Sequence, residues 1–244
     1  MMSSRAPILK VEGLTRRFGG LVAVNDMGFT VHAGEIVGLL GPNGSGKTTA
    51  INLISGVLRP DAGSILFGDT DIAGWPTFKI ARLGVARTFQ LVRVLDGMTC
   101  GDNVRAGLAF NHRGRDGDVS IDGLLARVGL ADHSTRQAAE LTYIDRKRLE
   151  LARALALRPR VLLLDEWLAG LNPSELQIGI ALIRSLKDEG LSVLMVEHVM
   201  DAIRSLCSRC VVMSSGRRIA DGPTDAVLRD PAVIEAYLGA PEDA

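Results

Sequence analysis

Three uninterrupted aliphatic runs punctuate the chain. Residues 35–40 run into a glycine loop, residues 161–164 end in Asp165-Glu166, and residues 192–196 end in Glu197-His198. Short apolar runs without alternation are the pattern of strands buried on both faces of a parallel sheet. Between them the period becomes helical. Residues 47–55 open with polar helix formers and stop at Gly56. Residues 143–157 place Leu151 and Leu155 at i,i+4, with Leu149, Ala152 and Ala156 on a second apolar line. Arg146, Glu150 and Arg153 form a charged face, and Arg158-Pro159 ends the helix. Residues 173–187 read as a further helix closed by Gly190. Strand–helix–strand alternation of this kind predicts a doubly wound, mostly parallel sheet.

The flanking segments follow another rhythm. Residues 8–11, 21–24 and 29–31, separated by glycine and by Asn25-Asp26, and residues 64–67 between Gly63 and Gly68, read as short strands of a small antiparallel sheet. Residues 210–213, Ser215-Gly216 and residues 218–220 read as a hairpin. Residues 91–142 carry no strong strand signal and read as a helical insertion, with a surface loop at 111–118. The expected architecture is one α/β domain over residues 1–244. Its core comes from 1–90 and 158–244 and includes the antiparallel part; its helical subdomain covers 91–157.

Composition narrows the function. With 47% hydrophobic and 23% charged residues, the 244-residue chain is no disordered segment. Lys plus Arg (28) balances Asp plus Glu (28), which argues against a mainly electrostatic nucleic-acid binder. High glycine and low aromatic content fit α/β architecture with tight turns. Three cysteines exclude a disulfide-stapled scaffold. Cys207 and Cys210 form a CxxC without a second pair or a nearby His in sequence, so they are expected to be buried small residues near a helix end. With neither a signal-peptide core nor a membrane-length apolar window, the chain is expected to be soluble and cytosolic.

Gly41-Pro42-Asn43-Gly44-Ser45-Gly46-Lys47-Thr48, followed by Thr49, matches GxxxxGK[ST] between a predicted strand and a predicted helix. Phosphate oxygens need several backbone N–H donors in one concave loop, and glycine permits that approach. The helix N-terminus adds partial positive charge. Lys47 is expected to bridge the β- and γ-phosphates of ATP, and Thr48 to place its hydroxyl on Mg²⁺. Asp165-Glu166 closes a buried strand, where an acidic pair is costly unless it meets a cation or water. Asp165 would hold Mg²⁺ through water and Glu166 would take a proton from the attacking water. His198 and Gln90 end two further apolar runs at the same sheet edge, where ligands of open α/β sheets bind.

In order, Arg17-Phe18-Gly19-Gly20, the glycine loop, Thr88-Phe89-Gln90, Leu141-Thr142-Tyr143-Ile144-Asp145, residues 162–166, Ala169-Gly170-Leu171-Asn172 and Glu197-His198 resemble the ATP-binding subunit of an ABC transporter over nearly the whole length. Residues 17–24, 86–90, 169–173 and the ending Ala236-Tyr237-Leu238-Gly239 are most similar to the branched-chain amino-acid importer ATPases. The resemblance implies ATP hydrolysis with Mg²⁺, and Lys47, Glu166 and His198 as the catalytic set, His198 on the γ-phosphate. Phe18 would stack on adenine, and Gln90 would reach Mg²⁺ and signal to the membrane subunits. Residues 169–172 would line a dimer interface, and the helical insertion would contact transmembrane permease subunits. The implied location is peripheral, on the cytoplasmic face of the cell membrane. Thr142, Tyr143, Ile144 and Asp145 would face ATP held by a second ATP-binding subunit.

Two positions depart from the family pattern. Ile144 stands where glycine is expected, and its β-branched side chain is expected to restrict close approach. Trp167 stands where proline usually follows the acidic pair, and is expected to need room at or near the dimer interface. An altered 142–145 segment on an intact glycine-loop side implies pairing with a paralogue rather than with itself. Competing readings are a nucleotide-gated module with little hydrolysis, and an importer ATPase for another small polar solute such as urea or amides. A soluble ABC ATPase on DNA or ribosomes would need paired ATPase halves or long coiled-coil insertions, and this chain has neither.

Overall fold

The computed structural model describes residues 6–110 and 119–238, so the loop expected at 111–118 lies outside the described residues. The chain runs β1 (Pro7–Phe18), β2 (Leu21–His32), β3 (Ile36–Leu40), α1 (Lys47–Ile54), β4 (Ala62–Phe67), β5 (Thr70–Asp71), α2 (Thr77–Leu83) and β6 (Val85–Arg87). It continues with α3 (Cys100–Ala109), α4 (Ile121–Arg127), α5 (Tyr143–Ala156), β7 (Val161–Asp165), α6 (Pro173–Asp188) and β8 (Ser192–Val196). It closes with α7 (Met200–Leu206), β9 (Arg209–Ser214), β10 (Arg217–Pro223), α8 (Thr224–Val227) and α9 (Pro231–Leu238).

A six-stranded sheet has the order β10-β9-β3-β8-β7-β6, parallel except for the β9–β10 hairpin. The three aliphatic runs are its neighbouring centre strands β3, β8 and β7, and each is buried throughout. Their residues alternate between two cores. Ile36, Leu40, Leu162, Leu164, Val193 and Met195 join the face packed with α3–α7. Val37, Leu39, Leu163, Leu194 and Val196 join the face that meets α1 and the antiparallel sheet. That double burial is why no polar alternation showed in the sequence.

The antiparallel sheet has the order β2-β1-β4-β5. The separate short strands expected at 8–11, 21–24 and 29–31 are instead two 12-residue strands. Asn25-Asp26 does not end a strand. It sits at register shifts, with Asp26 at φ 54 and its N–H bonded to the Thr15 hydroxyl at 3.1 Å, so the polar pair is absorbed as an irregularity in the ladder.

Residues 91–142 carry α3 and α4, which pack with α5 as expected for the insertion. The charged face expected on α5 is corrected: Glu150 is buried, and the 89–93 segment crosses over it, giving it the Arg93 N–H at 2.9 Å. Cys207 ends α7 and Cys210 lies in β9, both buried, and a Cβ on Gly38 of β3 would meet their sulfurs at 3.2 and 3.1 Å. No helix among the described residues is long and apolar enough to cross a membrane.

Candidate functional site

The carboxyl ends of β3, β8 and β7 share one sheet edge, and the polar residues singled out in the sequence gather there. The turn from β3 into α1 is made of Gly41, Pro42, Asn43, Gly44, Ser45 and Gly46, with Lys47, Thr48 and Thr49 opening the helix. Gly41 (φ 145) and Gly46 (φ 104) need glycine twice over: a Cβ would lie 2.1 Å from the Met213 carbonyl oxygen and 2.3 Å from that of Ala23. The half-buried Lys47 Nζ donates to the Gly41 and Pro42 carbonyls at 2.7 and 2.9 Å. Burial lowers its pKa, against the pull of Glu166 and Asp165. The ammonium therefore already stands among the carboxylates and the loop's own carbonyls.

Asp165 ends β7. Its Oδ2 accepts from Arg87 Nη2 at 2.7 Å in a buried ion pair, and Arg87 Nη1 also reaches Asn52 Oδ1 at 2.6 Å and Ser55 Oγ at 3.0 Å. Asp165 Oδ1 is buried with no hydrogen-bond partner among the described residues. An orphaned carboxylate oxygen is costly, and together with a Thr48 hydroxyl and a Gln90 amide it would make a hard-oxygen donor set of the kind that suits Mg²⁺. Glu166 follows with φ 51, a left-handed backbone uncommon for a non-glycine residue. Gln90 Nε2 donates to Glu166 Oε2 at 2.8 Å; Gln90 lies beyond β6, which stops at Arg87. His198 is exposed just past β8. Phe18, 43% exposed at the end of β1, has the Arg16 guanidinium 4.9 Å from its ring centre.

Two sequence expectations change. Trp167 is 1% exposed: its indole turns into its own chain beside Gly179 and donates to the Lys147 carbonyl at 3.3 Å, so it takes no room at an interface. Ile144 is 8% exposed and also turned inward, so its bulk does not obstruct a neighbour. The outward face of that segment is Thr142 and Tyr143 (53% exposed); the mostly covered Asp145 pairs with Arg148 at 3.0 Å, and the Thr142 hydroxyl donates to Asp145 Oδ2 at 2.8 Å and accepts from the Asp145 N–H to cap α5.

Sequence reasoning missed Arg87, Lys147, Glu197 and Tyr237. Arg87 had a usable signal, a cation at the end of an edge strand next to the acidic one. Tyr237 had none: its hydroxyl accepts the Gly41 N–H at 2.8 Å from nearly two hundred residues away. Glu197 is buried and pushed up to about 7, chiefly by desolvation. A raised folded pKa means that Glu197 binds its proton more tightly folded than unfolded (about 4.3). Its contribution to stability is therefore full below about pH 4 and lost as pH rises through about 7. Denaturant unfolding should show stability falling from about pH 4 to 7, with a shallower fall in Glu197→Gln. Equal slopes in the two proteins would contradict the assignment.

The family model described as ABC transporter matches residues 24–169, and a second, described as Branched-chain amino acid ATP-binding cassette transporter, matches residues 217–243. The chain is 41% identical to the high-affinity branched-chain amino acid transport ATP-binding protein BraF of Pseudomonas aeruginosa and 39% identical to LivG of Escherichia coli, each over 96% of this chain and 98% of the relative. Among solved structures, a nucleotide-free ATP-binding cassette from an ABC transporter superposes with a TM-score of 0.86 at 29% identity, covering 96% of this chain and 100% of that one. The ADP conformation of the cassette MJ1267 gives 0.86 at 30% identity, covering 96% and 99%. With a glycine loop, acidic strand end and two-sheet fold in place, and relatives matched over nearly the full length, the chain belongs to the nucleotide-binding, ATP-hydrolysing subunits of ABC transporters, which work with transmembrane partners.

Proposed function

We propose that the chain hydrolyses Mg·ATP to drive import of branched-chain or related amino acids through transmembrane permease subunits, from the cytoplasmic face of the membrane. The observation that supports this best is the meeting of Lys47, Asp165, Glu166 and Gln90 at one sheet edge, with Asp165 Oδ1 buried and unpartnered. The 41–46 loop offers its N–H groups to the phosphates, and Lys47 leaves the Gly41 and Pro42 carbonyls to reach them. Thr48, Gln90 and, through water, Asp165 would hold Mg²⁺, which would supply positive charge against the developing charge of the phosphates. Glu166 accepts the proton of the attacking water, His198 donates to the γ-phosphate, and Phe18 stacks on adenine. The solute class follows the relatives' names. ATP-dependent uptake of labelled leucine into proteoliposomes holding the assembled transporter tests it; uptake of urea without leucine would replace the solute.

Residues 91–157 act as the helical subdomain that meets the permease. A groove of about 380 Å³ beside it is lined by Phe78, Phe89, Leu95, Phe110, Glu150 and Arg153, and Phe78 and Phe110 are exposed. Those aromatics suit an apolar permease segment with a polar flank.

The second ATP-binding subunit is a paralogue. The 142–145 segment carries a carboxylate, Asp145, ion-paired to Arg148 at 3.0 Å, where the resemblance places the other subunit's γ-phosphate. With the Arg148 guanidinium offsetting part of that charge, the net repulsion on a facing phosphate is at most about 1 kcal/mol, about fivefold in rate. Two copies of this chain would put that repulsion at both sites; a paralogue spares the site built on Lys47. The isolated chain should therefore release phosphate slowly, and Asp145→Gln should speed it by up to about fivefold. Rapid release by the isolated wild type, unchanged in Asp145→Gln, would argue for self-pairing.

A further inference from the structure

Two buried ionisable side chains, Lys147 and Glu197, converge on the turn after Asp165. Lys147 is 2% exposed, and its Nζ donates to the Trp167 carbonyl at 2.8 Å and the Ala169 carbonyl at 2.9 Å. The Trp167 indole N–H returns a bond to the Lys147 carbonyl. Glu197 Oε1 accepts the Leu168 N–H at 2.6 Å. Backbone groups of Trp167, Leu168 and Ala169 are thus held by side chains from α5 and from the end of β8. Two backbone bonds hold Glu166 itself, its N–H on the Val196 carbonyl at 2.9 Å and its carbonyl accepting the Ala169 N–H at 3.2 Å, and the side chains extend that hold to the next three residues.

Burying an amine and a carboxylate is expensive unless their hydrogen bonds return the cost. A turn that only needed filling would be served by apolar side chains. What this turn must do is hold Glu166 at φ 51, a strained conformation that persists only where the surroundings over-determine it. The Trp167 indole, wedged against Gly179, keeps the carbonyl aimed at Lys147.

We infer that Lys147 and Glu197 are positioning residues for Glu166, fixing the 166–169 turn so that the Glu166 carboxylate stays at the sheet edge beside Lys47. The inference rests on Glu166 acting as the base. It also ties the turn to α5, since the Tyr143 ring, on the face proposed to meet the second subunit, lies 5.0 Å from Lys147 Nζ.

The test is phosphate release at saturating ATP by the assembled transporter, with nucleotide affinity of each variant from displacement of a fluorescent ATP analogue. Lys147→Met keeps the stem and loses the donors; Glu197→Ala loses the acceptor. Each should lower kcat roughly tenfold or more, as small misplacements of a reacting group do, with ATP affinity within about twofold of wild type. Lys147→Arg and Glu197→Gln keep donor and acceptor and should stay within about threefold of the wild-type kcat. Wild-type kcat in Lys147→Met or Glu197→Ala would overturn the inference. So would affinity falling in step with kcat, the mark of lost folded protein, if Lys147→Arg and Glu197→Gln fell equally. A transporter that releases no phosphate, or does so undiminished in Glu166→Gln, would instead remove the ATPase reading itself.

Discussion

Glu166→Gln should leave ATP binding intact and slow hydrolysis by about 10²–10⁴, the usual cost of losing a general base. The reasoning is local. Glu166 stands one residue past the buried Asp165, in the left-handed region, with its carboxylate bonded to Gln90 and its charge felt by Lys47. The amide keeps the shape and can still meet Gln90, but it cannot take a proton. Nothing in the 41–49 segment changes, so the phosphates keep their donors. On the proposed pairing of two ATP-binding subunits, slowed hydrolysis should also let an ATP-bound dimer accumulate. Single-turnover phosphate release and gel filtration with ATP check both. Wild-type rates would take Glu166 out of the mechanism.

Much of this site was legible because its chemistry is local in sequence. The glycine loop, Lys47 and Thr48 are contiguous, and the acidic pair and His198 each close an aliphatic run, so parallel pairing of those runs brings them to one edge. What escaped is long-range. Arg87 matters only because β6 lies against β7, which puts the guanidinium on Asp165. The Tyr237 hydroxyl bonds the Gly41 N–H through a packing arrangement that no periodicity encodes.

Helical periodicity also misled where a helix is surrounded. On α5, Glu150 read as part of a charged face, but the 89–93 segment crosses the helix there and gives Glu150 Oε1 the Arg93 N–H, while Lys147, which the sequence did not single out, is buried against the carbonyls of the 166–169 turn. The direction of a side chain was likewise invisible for Ile144 and Trp167. Ile144 departs from the pattern in the 142–145 segment and Trp167 just after the acidic pair, and both point inward. In the antiparallel sheet, Asn25-Asp26 carried an ordinary break signal, but a positive φ at Asp26 and a hydroxyl partner let the ladder continue.

The central claim is that the loop from Gly41 to Thr49 holds ATP, and the most direct test is equilibrium titration of Mg·ATP against wild type and Lys47→Ala. Lys47 Nζ bonds the Gly41 and Pro42 carbonyls, half-buried and with a lowered pKa. Moving it to the β- and γ-phosphates exchanges two neutral acceptors for anionic ones, a charge-assisted contact worth roughly 1.5–3 kcal/mol. Deleting the amine should therefore weaken ATP binding about 10- to 150-fold at unchanged thermal stability. Unchanged affinity in Lys47→Ala would contradict the assignment of the nucleotide to this loop.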